Sequence, residues 1–183
     1  MKSYLKNMAS AIAVVVALSC CAQDVQPMIG QSAPSFTLTS TNGKEVSLDK
    51  LKGKYIVIHF AATWCPFCNA EAPNLEQLYK SYRDKGVEVF IVDVKEDKAL
   101  VEKLVERFNF SFPVLMDTDG KVSAAYAPDG VLPALERSEV PIASNLIIDK
   151  EGKIQFYSLL NTTAFDAKLT KLKQKLDELM AAK

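Results

Sequence analysis

The chain is poor in the residues that build metal centres. It has one histidine and four cysteines in 183 residues, and two of those cysteines, Cys20 and Cys21, stand side by side near the N-terminus. A zinc site draws on about four ligands. There is no second spaced cysteine pair and no second histidine to supply them, so no metal is expected. Net charge is missing as well: 22 lysines and arginines balance 22 aspartates and glutamates, which gives no basic face for nucleic acid. The N-terminal apolar run, Met8 to Leu18, falls short of the ~20 residues a bilayer crossing needs. Internal repeats and low-complexity tracts are absent, and the remaining length suits one compact domain with its own core.

What the N-terminus does contain is an export signal. Lys2 and Lys6 form a positive start, Met8 to Leu18 has the length of a signal core, and residues 1–19 are read as a signal peptide to be excluded from the fold. Leu18-Ser19-Cys20 has a small residue ahead of a cysteine, the pattern at which a lipid is attached, so Cys20 is the candidate lipidation site. Ordinary cleavage after Ala22, which releases a soluble protein, is the alternative. Residues 20–33 are read as a tether and 34–183 as the folded domain, in which Cys65 and Cys68 are the only cysteines.

Those two cysteines follow an apolar run, Tyr55 to Ala62, and precede a helical pattern from Asn69 to Arg83. A strand handing over to a helix places the pair at free backbone N–H groups and the positive end of the helix dipole. That setting lowers a cysteine pKa from about 8.5 to somewhere between roughly 3.5 and 7.5. Pro66 suits the first helical turn, where its missing N–H costs nothing. A purely structural disulfide is the bland alternative, but so short a loop stabilises little. Dithiol redox chemistry is the favoured reading.

The flanking pattern reads as alternating strands and helices. Phe36–Thr39 and Glu45–Leu48 bracket an Asn42-Gly43 turn signal and form a hairpin. The strand Tyr55–Phe60 is almost wholly apolar, as a strand covered on both faces must be. The helix after the cysteines carries Leu75, Leu78 and Tyr82 on one face, with a kink expected at Pro73. A strand over Val87–Val92, a helix capped by Asp97 with Leu100, Leu104 and Phe108, and a short strand over Pro113–Met116 come next. Asn145–Asp149 and Ile154–Tyr157 make a second hairpin. Phe165, Leu169, Leu172, Leu176 and Leu179 line a final amphipathic helix. The fold class is α/β: a central mixed β-sheet with helices on both faces and an added N-terminal β-hairpin.

Phe60-Ala61-Ala62-Thr63-Trp64-Cys65-Pro66-Phe67-Cys68-Asn69-Ala70-Glu71-Ala72-Pro73 resembles the active-site segment of the thioredoxin superfamily. It is similar in particular to the TlpA/ResA-type thiol–disulfide oxidoreductases, which are related to the AhpC/TSA proteins. Glu71 and Pro73 fall three and five residues after the second cysteine, as in that group. The resemblance implies a thioredoxin-like fold and thiol–disulfide exchange with Cys65 as attacking thiolate and Cys68 as resolving thiol. It implies no bound cofactor. Expected partners are protein dithiols and disulfides and an upstream redox protein, met by a monomer in the bacterial envelope, facing the periplasm on a lipid anchor or soluble if that anchor is lacking. Trp64 and Pro66 are the expected docking residues beside the cysteines.

Three departures stand out. The position that holds a cis-proline in the superfamily falls on Ala143, with Pro141 two residues upstream, so either residue is a candidate for docking substrate. The stretch Ala127 to Val140 is longer than expected, with one turn foreseen at Ala134–Arg137, and is either a functional loop or decoration. His59 stands six residues before Cys65, where thioredoxins carry an acid. It is expected, with Glu71, to move protons near Cys68, an imidazole being ordinarily titratable near about 6.5. Two other readings remain, the first of which shares the fold. A peroxiredoxin would hold Thr or Ser at position 65 and an Arg about position 143. A Sco-like copper carrier would need a longer cysteine spacing and a downstream histidine.

Overall fold

The computed structural model describes residues 28–182; the expected signal peptide, Cys20 and the first part of the tether lie outside them. Seven strands form one sheet: β1 (Thr37–Ser40), β2 (Glu45–Ser47), β3 (Tyr55–Ala61), β4 (Val87–Val94), β5 (Val114–Asp117), β6 (Ser144–Ile148) and β7 (Ile154–Ser158). Their spatial order is β2-β1-β5-β4-β3-β6-β7. β3, β4 and β5 run parallel, while β6 and β7 on one side and the β1–β2 hairpin on the other are antiparallel. The hairpin turns at Gly43, whose φ of +83° suits a residue without Cβ.

Four helices cover the sheet: α1 (Pro66–Tyr82), α2 (Lys98–Phe108), α3 (Lys121–Ala125) and α4 (Thr170–Ala181). The period-2 alternation of β3 shows how the layers are divided. Tyr55, Val57 and Ala61 pack with Leu75 and Leu78 of α1, Val101 of α2, and Leu172 and Leu176 of α4. Ile56, Ile58 and Phe60 face the other way, onto Phe36, Leu48 and Tyr126. Every residue of β3 is buried. At about 25 cal/mol per Å² of apolar surface buried, this doubly covered strand contributes hydrophobic free energy to both halves of the core.

The differences from the expected elements have local causes. α1 starts at Pro66, not Asn69, because Cys65 itself serves as the N-cap. The helix continues through Pro73, which forfeits only the N–H that would have reached Asn69. α4 starts at Thr170, so Phe165 and Leu169 do not belong to the final helix; Leu169 has a left-handed φ of +56° that separates them from it. α3 was not foreseen. Asp117 at the end of β5 accepts the N–H groups of Val122 and Ser123 and so starts that turn. The long stretch from Ala127 to Val140 is a chain of turns without a helix. Arg137 ties it together by donating to the carbonyls of Ala127 and Pro128 and to Asp129. Residues 28–33, assigned above to the tether, lie against the β6–β7 turn, where Gly30 N–H donates to Ile154 O and Ala33 N–H to Gly152 O.

Candidate active site

The site is built where β3 ends and α1 begins. Cys65 leaves the strand in extended conformation and caps the helix through its sulfur, which accepts the N–H of Cys68 at 3.2 Å. Pro66 takes the first helical position, and Cys68 comes one turn on. The two cysteines are joined as a disulfide, their Cα atoms 5.3 Å apart. In the reduced protein the same N–H and the helix dipole face a thiolate on Cys65. Both cysteines are nearly inaccessible, at 3% and 5%, whereas Trp64 beside them is 67% exposed.

Cys65 opens into a groove of about 830 Å³. Trp64, Pro66 and Phe67 line it next to the disulfide; Ala143, Leu132 and Leu135 line it from the segment that precedes β6. Leu132 and Leu135 are among the few large apolar side chains left exposed, at 49% and 46%, and they come from the long stretch tied by Arg137. Phe165, displaced from the final helix, meets Phe67 edge to face at 4.9 Å and lines the groove as well. The two candidate docking positions are placed differently. Ala143 lines the groove with Cys65. Pro141 is buried outside the groove lining, and its carbonyl accepts the N–H of Ser144. Ala143 holds a left-handed φ of +64°, and its N–H donates to Phe60 O at 2.8 Å. No peptide bond among the described residues is cis.

Behind the disulfide lies a buried polar triad. His59 and Asn145 are paired across β3 and β6, and Glu71 reaches them from α1. The amide of Asn145 donates to both oxygens of Glu71 at 3.1 Å. Its carbonyl therefore faces His59, whose Nδ1 stands 3.0 Å away and carries the proton of that bond. Nδ1 also lies 3.3 Å from Glu71 Oε2, while Nε2 has no partner. Burial pushes His59 down to about 4, against the opposing pull of Asn145. Burial likewise pushes Glu71 up to about 7, with the Asn145 amide opposing and Asp166 adding to the rise. The ordinary imidazole value near 6.5 expected of His59 is therefore lowered by burial, while burial moves the Glu71 carboxyl toward the neutral range. Glu71 and Cys68 are three residues apart on α1, one above the other on a single face.

Sequence reasoning missed three functional candidates. Asn145 was read only as the start of a strand, although an amide opening the apolar run Leu146-Ile147-Ile148 was a usable signal. Asp93 was left beyond the end of its strand; β4 runs on to Val94 and buries it completely. Glu96 accepts both the N–H and the hydroxyl of Thr63, two residues before Cys65, a contact across 33 residues that no local pattern signals.

Comparison with known proteins agrees with this geometry. The profile of the AhpC/TSA family matches residues 29–157. The thiol–disulfide oxidoreductase ResA of Bacillus cereus is 35% identical over 126 residues, which are 69% of this chain and 66% of that protein. Among solved structures, a secreted Mycobacterium tuberculosis disulfide oxidoreductase homologous to Escherichia coli DsbE superposes with a TM-score of 0.62 at 26% identity, covering 79% of this chain and 96% of that one. A thiol:disulfide interchange protein of the thioredoxin family from Chlorobium tepidum shares the fold, with a TM-score of 0.66 at 24% identity over 86% of this chain and 99% of that one. With a paired C-x-x-C at the mouth of a parallel strand and a profile match over most of the domain, the chain belongs to the AhpC/TSA family, as a thioredoxin-superfamily protein of TlpA/ResA-like type.

Proposed function

We propose that this protein is an envelope thiol–disulfide oxidoreductase that exchanges disulfides with protein clients through Cys65 and Cys68. The observation that carries the reading is the Cys65–Cys68 disulfide set at the helix N-cap and at the floor of an apolar groove. In the reducing direction, the Cys65 thiolate attacks one sulfur of a client disulfide, forming a mixed disulfide and expelling the other client sulfur as a thiolate. Cys68 then gives up its proton and attacks Cys65 Sγ. The internal disulfide forms, and the client leaves with two added electrons. Run backwards, the same steps oxidise a client dithiol.

Glu71 supplies the base for the second step. Cys68 is buried, which favours its neutral thiol, and a carboxyl titrating at about 7 accepts a proton readily at neutral pH. Asn145 holds that carboxylate by both oxygens, and His59 fixes Asn145. Trp64, Pro66 and Ala143 flank the attacking sulfur and dock the client, whose apolar residues are met by Leu132 and Leu135. Export and anchoring through a lipid on Cys20 are supported by the Lys2/Lys6 start and the Ser19-Cys20 junction in the sequence.

The test is covalent trapping. Cys68→Ser is expected to accumulate mixed disulfides with clients through Cys65, and Cys65→Ser to accumulate few. Equal trapping by both variants, or none by either, would sink the assignment. Rapid turnover of peroxide by the purified protein would favour the peroxidase branch of the family instead. Mass spectrometry of the mature protein tests the anchor: an acylated Cys20 supports it, and a soluble form beginning at Gln23 removes it.

A further inference from the structure

The segment that follows β7 has no part in the chemistry described so far, yet it reaches the cysteines. Residues 159–169 contain turns but neither helix nor strand. They are ordered all the same. Leu160 and the buried Leu169 pin the two ends to the core on the α1 side of the sheet. Near the start, the Asn161 side-chain oxygen accepts the N–H groups of Thr163 and Ala164 and the Thr163 hydroxyl. Near the end, Asp166 accepts the N–H of Leu169 at its carbonyl and that of Lys171 at its carboxylate. Phe165 stands between these two devices and is thereby delivered to Phe67, edge to face with ring centroids 4.9 Å apart and planes at 72°. Phe67 lies between the cysteines. Its neighbour Pro66 is exposed and gives the turn no hold on the protein, whereas Phe67 is half-buried.

We propose that Phe165 is a positioning residue for disulfide exchange: through Phe67 it holds the Pro66-Phe67-Cys68 turn and so keeps the Cys68 N–H on the sulfur of Cys65. This rests on the oxidoreductase reading above. That N–H lies 3.2 Å from the sulfur, while the next one along, of Asn69, is given to the Cys65 carbonyl. A hydrogen bond donated to a thiolate favours it over the thiol. A turn free to rock makes that bond for less of the time, and the thiolate loses its support. One aromatic pair is worth about two- to tenfold in an equilibrium, enough to decide how fully the bond is populated. Changing Phe165 leaves the charges in place. Besides Cys65, the ionisable side chains lining its groove are Glu71, Glu139, Tyr157, Asp166 and Lys171, and His59 lies behind Glu71.

The test is a pH profile of Cys65 alkylation by iodoacetamide in the reduced mature chain, read by mass spectrometry of the peptide that holds Cys65. Phe165→Ala is expected to move the midpoint of the profile upward. Below that midpoint it should slow alkylation by about two- to tenfold, with the limiting rate at high pH unchanged. Phe165→Tyr, which keeps the ring, is expected to follow wild type. Phe67→Ala is expected to match Phe165→Ala, and the double variant to add nothing further. A role in stability alone would lower the urea midpoint of Phe165→Ala and leave its alkylation profile where it was. That result overturns the proposal, as does a double variant whose losses add. The oxidoreductase reading is judged separately, on wild type: a Cys65 that titrates as an ordinary thiol near about 8.5 would remove it, and this proposal with it.

Discussion

Replacing Glu71 by Gln tests the buried triad quantitatively. The carboxyl is 4% exposed and is raised from an ordinary 4.5 to about 7, chiefly by burial. Between those two values the folded chain keeps a proton that the unfolded chain has released. Stability therefore falls as pH rises through this window. Worked through the linkage relation, the cost is under about 1 kcal/mol at pH 5 and about 3 kcal/mol at pH 7, both upper bounds. Gln keeps the side-chain volume, and its carbonyl still accepts from Asn145. Its amide group lacks the acceptors a carboxyl does not need, a penalty of about 1–3 kcal/mol that does not vary with pH. The change of this difference with pH therefore isolates the titration of Glu71. Relative to wild type, Glu71→Gln should gain about 2 kcal/mol between pH 5 and pH 7. His59 and Asp93 contribute slopes of their own, but both are present in each protein and cancel in the comparison. Urea unfolding of the two oxidised proteins at both pH values gives the answer. Parallel changes in wild type and variant would show that Glu71 does not titrate as placed, and the proton route from Cys68 would fall with it. In the reduced protein, removing this negative neighbour should also lower the pH at which Cys65 alkylates.

Other substitutions address the remaining parts of the site. Ala143→Pro should not restore the superfamily's docking loop: proline requires φ near −65° where Ala143 has +64°, and it would delete the bond to Phe60 O. A loss of about 3 kcal/mol or more in thermal or urea unfolding is expected, while Ala143→Gly, free of left-handed strain, should gain about 1 kcal/mol. His59→Asn should lower stability yet leave the pH dependence of exchange between pH 6 and 8 to Glu71, which a stopped-flow pH profile would show; loss of that dependence would return the proton to the imidazole. Arg137→Ala, by untying Ala127 to Val140, should change which clients a Cys68→Ser variant traps and leave reduction of insulin disulfides largely intact. An unaltered set of clients would make that segment decoration.

Much of this was legible in the sequence, for reasons that can be named. Tyr55–Ala61 announced a doubly covered strand because every one of its side chains must be apolar or internally paired, and the cysteine spacing marked the start of α1. The Asn42-Gly43 turn gave the first hairpin. What remained hidden depended on contacts between distant segments. Phe165 and Leu169 continue the helical spacing of Leu172 and Leu176, so periodicity alone assigned them to one helix; the left-handed backbone at Leu169 that breaks it has no sequence mark. The environment of His59 was likewise out of reach, since its titration is set by burial under α1 and by Asn145, 86 positions away. The positions of Pro141 and Ala143 relative to the groove depend on register, which is visible only in the pairing of Phe60 with Ser144.

The seating of residues 28–33 against the β6–β7 turn has a consequence for how the molecule is presented. β6 runs antiparallel to β3, with Ile148 beside Ile56 and Ser144 beside Phe60. The β6–β7 turn therefore lies at the pole opposite the cysteines, and the chain enters the domain there. An anchor on Cys20 would be eight chain steps from Met28, a leash of at most about 28 Å. Such a protein would have Trp64 and the groove at the end of the sheet away from the anchor. Its reach would favour clients arriving from the aqueous side.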